Sequence, residues 1–176
     1  MYRVLLRCAT NAEEMVSRIG CPIYLSIPRL GKRLAERYHL HPSVDVVGLS
    51  MGGIVAREAA RRRHPPRLCI ARLYTLATPH LGARSIAWLV PHHQAQSLLQ
   101  HGAYLNELND DPDSRSFHIE TFSITGDHMV GPHSAHGIGD HHHPWPNVTL
   151  NPGHHFVHAD PRILMTVAGK LLGHLP

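Results

Sequence analysis

A serine framed by glycines at two-residue spacing, Gly48-Leu49-Ser50-Met51-Gly52, is the stretch of this chain most directly suited to chemistry. The apolar run Val44–Val47 precedes it and an Ala- and Arg-rich segment follows, so the local reading is strand, sharp turn, helix. In such a nucleophile elbow the serine is held in a strained backbone conformation, and Gly48 and Gly52 must let neighbouring chain pass close by. The amide of Met51 would open the helix, where unpaired N–H groups and the helix dipole favour a developing oxyanion. A serine hydroxyl is a weak nucleophile until an imidazole takes its proton, and that imidazole needs a carboxylate to fix its tautomer. Asp127 and His154 are the candidates for those roles, each expected just past the end of a strand. Asp140 and Asp160 compete with Asp127; Asp160 suits a helix cap and Asp140 an irregular loop. His155 competes with His154, which comes first as the chain leaves Pro152-Gly153.

The elements that must position these residues can be read from punctuation and periodicity. Tyr2–Leu6 suits a strand, Asn11–Ile19 a short helix capped by Asn11, and Cys21–Ser26 another brief strand. Pro28 suits the first turn of a helix through Leu30, Leu34 and Tyr38. After the elbow, a helix from Met51 to about Arg63 is stopped by Pro65-Pro66. Leu68–Ala77 reads as a buried parallel strand leading into Thr78-Pro79-His80-Leu81-Gly82. A short helix is expected over Ser85–Val90 and a longer one over Gln94–Leu108, then a polar turn over Asn109–Ser114 and a strand over Phe117–Thr125. Gly131–Pro146 shows no periodicity and reads as a long excursion at the mouth of a site. Asn147–Leu150 is the last expected strand, and Asp160-Pro161 begins a terminal helix ending at Gly173. Strands alternating with helices predict an α/β fold with a mostly parallel sheet and functional residues at the C-terminal ends of its strands.

A chain of 176 residues with 43% hydrophobic and 6% aromatic content suits a single domain, 1–176. Its net charge of +4 owes much to Arg57, Arg61, Arg62, Arg63, Arg67 and Arg72. With no interleaved aromatics these arginines read as a solvated helix face rather than a nucleic-acid patch. Cys8, Cys21 and Cys69 have no paired or metal-binding spacing and are expected as free thiols. No stretch has the length of a membrane span or signal segment, so the expectation is a soluble chain without an export signal of its own, cytoplasmic by default. Histidine is abundant: 18 in all, nine of them from His128 to His158. His133, His136, Asp140, His141, His142 and His143 exceed the donor number a four-coordinate zinc needs, yet their spacing fits no fixed ligand motif. The expectation is a weakly metal-binding His-rich loop over residues 128–146, with no resident cofactor.

Gly-Leu-Ser-Met-Gly-Gly at 48–53 and Leu73-Tyr74-Thr75-Leu76-Ala77-Thr78-Pro79-His80-Leu81-Gly82 together resemble the α/β-hydrolase lipases and lipase-like serine esterases. Bacterial triacylglycerol lipases and GPI-inositol-deacylase-like esterases are the most similar in pattern. The resemblance continues through Tyr104–Asn109, Gly126–Val130 and Gly153-His154, and covers roughly residue 28 to the end. It implies an α/β-hydrolase fold and hydrolysis of small-molecule or lipid carboxylic esters. The roles it implies are Ser50 as nucleophile, Met51 as oxyanion donor, Asp127 as acid and His154 as base, with Leu49, His80 and Leu81 bordering the substrate. The family's chain order of serine, acid, histidine is the order found here. These enzymes also carry a His-Gly turn upstream of the serine, and none precedes Ser50; residues 1–26 are therefore expected to be an atypical segment of an N-terminally truncated fold. The other expectations open at this stage are a catalytically weak remnant acting as a binding module and a His-rich metal-binding protein.

Overall fold

The computed structural model describes residues 2–7, 23–38, 40, 43–61, 66–83, 102–148 and 153–174. Among these residues, five parallel strands form one sheet in simple sequence order. They are β1 (Tyr2–Arg7), β2 (Val44–Leu49), β3 (Ile70–Leu76), β4 (His118–Ile124) and β5 (His141–Trp145). Helix α1 (Ile23–Tyr38) lies between the first two strands and α2 (Met51–Ala60) between the next two. Next come α3 (Ala103–Asp110) with a 3-10 turn over Pro112–Arg115, and then α4 (Pro132–His136) between β4 and β5. A single helical turn α5 (Gly153–Phe156) and the longer α6 (Pro161–Leu172) follow the last strand.

Side chains alternate across β2, β3 and β4, and the alternation sorts the core into two apolar clusters. Val44, Val46, Leu73 and Ile119 point to one face, where Ile27 and Leu34 of α1, Ile54, Val55 and Ala59 of α2, and Leu105 and Leu108 of α3 cover them. Leu49, Tyr74, Leu76, Phe122 and Ile124 point to the other face, covered by Val157 and by Ile163 and Val167 of α6. Parallel crossovers keep one hand, so a chain that always steps sideways in the same direction lays its connecting helices on the same face. Among the described residues, Val157 and α6, which come after the last strand, cover the opposite one. Helices thus lie on both faces of the parallel sheet, as such sheets require.

Helix α1 starts at Ile23, which overturns the strand expected at Cys21–Ser26. A short apolar run cannot be told from a buried helical segment by periodicity alone. Pro28 consequently stands inside the helix rather than in its first turn, where it gives up one backbone bond. The approach of α1 to α2 is set by Gly31, where an added Cβ would lie 2.9 Å from Glu58 Cγ and 3.1 Å from the Ala59 nitrogen. The histidine run is not a structureless loop: residues 132–136 are helical and His141–Trp145 is the last strand of the sheet, paired with β4 from Glu120↔His141 to Ile124↔Trp145. Asn147 and Val148, expected as strand, follow it as irregular chain. The helices expected at Asn11–Ile19 and Ser85–Val90, and most of Gln94–Leu108, fall outside the described residues. At the C-terminus, Asp160 caps α6 by accepting from the Arg162 amide, and Gly173 ends it at φ 75°, as expected.

Candidate active site

Strand β2 ends at Leu49, and Ser50 turns the chain into α2 with φ 50° and ψ −123°. Positive φ is uncommon outside glycine and persists only where surrounding contacts hold it. Three contacts do so here. The Ser50 amide donates to the Leu76 carbonyl at 2.8 Å, Gly53 N donates to the Ser50 carbonyl at 3.3 Å, and Thr78 Oγ1 donates to that same carbonyl at 2.7 Å. The turn closes so tightly that a Cβ on Gly48 would sit 2.6 Å from the Gly53 nitrogen and 3.0 Å from the Gly52 carbonyl carbon. A Cβ on Gly53 would sit 2.5 Å from Thr78 Oγ1. Met51, the first residue of α2, is half-buried and presents its amide at the helix N-terminus.

Strands β4 and β5 end at the same edge of the sheet as β2, which brings the acid and the histidine to the serine. Asp127 lies three residues past β4 and is buried. Its Oδ1 accepts from the Met129 and Val130 amides at 2.9 and 3.0 Å, which leaves Oδ2 to face His154 Nδ1 at 2.9 Å. Burial opposes ionisation of this carboxyl, but the His154 bond and the two amides outweigh it and hold its pKa below the ordinary value. An ionised carboxylate can only accept, so His154 Nδ1 carries the proton and Nε2 is free to accept from the Ser50 hydroxyl at 3.0 Å. Gly153 makes the approach possible, since a Cβ there would lie 3.2 Å from the Asp127 nitrogen.

The competing carboxylates stand elsewhere. Asp140 is exposed and accepts from the Ile119 amide and lies 3.3 Å from His118 Nδ1. Asp160 is occupied by its cap and by Arg162. His155 belongs to the α5 turn. Of the residues expected to border a substrate, Leu81 is half-buried, whereas Leu49 packs into the second core cluster. His80 has no exposed surface, so its place is inside the loop after β3 and not on a substrate-facing wall. Strand alternation splits the histidines of β5 between the two faces of the sheet, and the His142 ring stands 4.8 Å from that of His136. His141 and His143 lean to the Glu120 side, where His143 Nε2 bonds Glu120 at 2.9 Å, while His142 turns to Thr121 and Ser123 on the other face. His133 and His136 lie exposed on α4. Among the described residues no group of three His, Cys, Asp or Glu side chains is arranged to hold a metal ion.

The sequence reading missed a buried polar framework behind the elbow. Arg57 and Glu58 are fully buried and Arg61 nearly so, against the expectation of a solvated arginine face. Helix α2 is enclosed by the sheet, α1 and the α3 region, so it has no solvated face to offer; the small residues Ala56, Ala59 and Ala60 were the available sign of a helix packed all round. Arg61 bonds Asp111 at 2.6 Å, Glu107 at 2.8 Å and Glu58 at 3.3 Å. Thr78, which clamps the Ser50 carbonyl, was likewise not singled out.

Comparison with known proteins agrees with this architecture. The family model described as PGAP1-like alpha/beta domain matches residues 7–129, a span that contains Ser50 and Asp127 and ends before His154. Its start lies within the segment 1–26 that the sequence reading set apart. Among solved structures, the chain is similar to a candidate cell surface hydrolase from Lactobacillus plantarum WCFS1, with 19% identity and a TM-score of 0.51 over 85% of this chain and 64% of that one. It is also similar to the RedJ thioesterase of the prodiginine biosynthetic pathway in Streptomyces coelicolor, with 15% identity and a TM-score of 0.51 over 80% of this chain and 66% of that one. The chain thus spans about two thirds of the length of each. None of the curated proteins compared with it matches. No helix among the described residues is long and apolar enough to cross a membrane.

Proposed function

The chain belongs to the family of PGAP1-like alpha/beta domains, with an α/β-hydrolase-type fold, and on that basis we propose that it is a serine hydrolase that cleaves carboxylic esters through an acyl-enzyme. The observation that carries the proposal is the continuous line from Ser50 Oγ through the two ring nitrogens of His154 to Asp127, with steps of 3.0 and 2.9 Å. Ser50 Oγ bonds to the ester carbonyl carbon while His154 Nε2 takes its proton. The resulting imidazolium, stabilised by Asp127, gives that proton to the departing alkoxide as the C–O bond breaks. Water then attacks the acyl-enzyme, losing its proton to His154, and the proton returns to Ser50 as the carboxylic acid leaves. The Met51 amide, at the N-terminus of α2, is the donor this reading assigns to the carbonyl oxygen as negative charge develops on it. Among ester substrates, small-molecule and lipid esters both suit this chemistry.

The test is Ser50→Ala assayed on p-nitrophenyl acetate and butyrate, with fluorophosphonate labelling alongside. Loss of the nucleophile is expected to lower turnover by about a millionfold and to abolish labelling, with the urea midpoint close to the parent's. Equal hydrolysis by Ser50→Ala and the parent removes the serine from the mechanism. A parent that neither hydrolyses these esters nor takes the label supports a binding module instead.

A further inference from the structure

Arg57 is a fully buried cation whose hydrogen bonds, among the described residues, all go to neutral groups. Its Nε and Nη2 donate to the Ser114 and Leu108 carbonyls at 3.3 and 3.1 Å, Nη2 also reaches Ser114 Oγ at 3.1 Å, and Nη1 lies 3.4 Å from His80 Nδ1. A guanidinium can only donate, so His80 Nδ1 accepts, and a neutral His80 therefore carries its proton on Nε2 and donates to Thr75 Oγ1 at 3.1 Å. The His80 carbonyl accepts from Asn109 Nδ2 at 2.9 Å, so both ends of this residue are tied. Two residues earlier, Thr78 donates to the carbonyl of Ser50, and the His80 amide donates back to the Thr78 carbonyl at 2.9 Å. Thr75 and Thr78 are also the side chains against which Gly53 packs without room for a Cβ.

Burying a charge without a carboxylate in hydrogen-bond reach costs stability, and bonds to neutral acceptors offset that cost only in part. The fold alone therefore gives little reason for a cation at this position. We infer that Arg57 and His80 are positioning residues for the nucleophile: together with Thr75 they lock the loop Thr78–Gly82 so that Thr78 holds the Ser50 carbonyl and with it the strained elbow. Burial and the Arg57 charge both depress the His80 pKa, which keeps the ring in the neutral tautomer this arrangement needs. The inference rests on the hydrolase reading of Ser50 and adds to it how the serine is held.

The experiment measures the second-order rate constant of fluorophosphonate labelling, with the final labelled fraction recorded separately, for the parent and for Arg57→Met, His80→Leu, His80→Asn and Thr78→Val. Small displacements of a reacting group cost up to about a hundredfold, so Arg57→Met, His80→Leu and Thr78→Val are expected to slow labelling by about tenfold to a hundredfold at full labelled fraction. His80→Asn, which keeps an acceptor for Arg57, should recover part of the rate. The losses of Thr78→Val and His80→Leu should be less than additive in the double variant, because they act through one loop. Arg57→Met removes the donor to the Leu108 and Ser114 carbonyls and to His80 Nδ1, so a lowered urea midpoint is expected as well; the rate constant of the fully labelled, folded fraction is the readout that a merely structural role does not move. Parent-like rate constants in all variants, or losses confined to the labelled fraction, overturn the inference while leaving the hydrolase reading intact. A parent that takes no label overturns both.

Discussion

Asp127 performs two tasks with its two oxygens, and a substitution can separate them. Asp127→Asn can still accept from the Met129 and Val130 amides through its carbonyl oxygen, so the loop should keep its shape. Its amide nitrogen would then face His154 Nδ1 and force the proton onto Nε2, where it blocks transfer from Ser50. The expected result is a fall of about ten-thousandfold in turnover with little change in melting temperature. Retention of more than a tenth of the parental turnover would show that the carboxylate is dispensable. Gly48 gives a steric test of the same elbow. In Gly48→Ala the new Cβ would meet backbone atoms of Gly53 at 2.6 and 2.7 Å, and backbone cannot step aside as a flexible side chain can. Such overpacking costs about 1–3 kcal/mol, to be read from urea unfolding, and a variant as stable as the parent would mean that β2 and α2 are less tightly joined than this geometry requires.

Helix α2 carries two buried arginines that differ in their partners. Arg61 answers the charges of Glu58, Glu107 and Asp111, and Glu58 itself has no exposed surface and also accepts from the Tyr104 hydroxyl at 3.0 Å. Removing one member of a buried ion pair leaves the other uncompensated, at about 3–5 kcal/mol. Arg61→Met is therefore expected to lower the unfolding free energy by that amount, far more than Arg57→Met, in parallel urea titrations. Equal losses at the two positions would contradict the assignment of Arg61 to stability. At the border of the sheet, β5 exposes Pro144, which has no amide hydrogen to offer another strand, and its histidines are partnered across to β4. Both features discourage edge-to-edge pairing.

For the molecule as a whole, the buried histidines and carboxylates set how stability depends on pH. Burial first, and then a neighbouring charge, lowers the pKa of His80 below 6.5; burial and His136 and His143 lower that of His142 to about 4. Below pH 6.5 the unfolded chain takes up these protons before the folded one does, so stability falls as pH drops from about 6.5 towards 4. The carboxyls of Asp127, Glu120, Asp111 and Asp160 are each held below their ordinary values; their contribution is present above about pH 4 and is lost as pH falls through the folded values. Urea midpoints at pH 8, 6.5, 5 and 4 should fall steadily below 6.5, and His142→Gln should flatten the slope between pH 6.5 and 4. A flat profile over that interval would show that these rings are solvated in the folded chain.

What the sequence determined by itself was local. A strand that must turn sharply into a helix leaves Gly-x-Ser-x-Gly, a helix start leaves Asp160-Pro161, and a helix end leaves Gly173, because each depends on backbone constraints within a few residues. The serine, acid and histidine could be nominated for the same reason: each follows a strand, and parallel strands deliver their ends to one edge. The tertiary structure decided everything that depends on distant neighbours. It separated Asp127 from Asp140, made Ile23–Ser26, expected as part of a strand, the start of a helix that packs on α2 at Gly31, and made the histidine run a strand by pairing it with β4. It also buried Arg57 and Arg61, because the segments that cover them, around residues 104–115, lie 46–57 positions away in the chain. Burial is a property of what arrives on the other side, and no spacing within α2 records it.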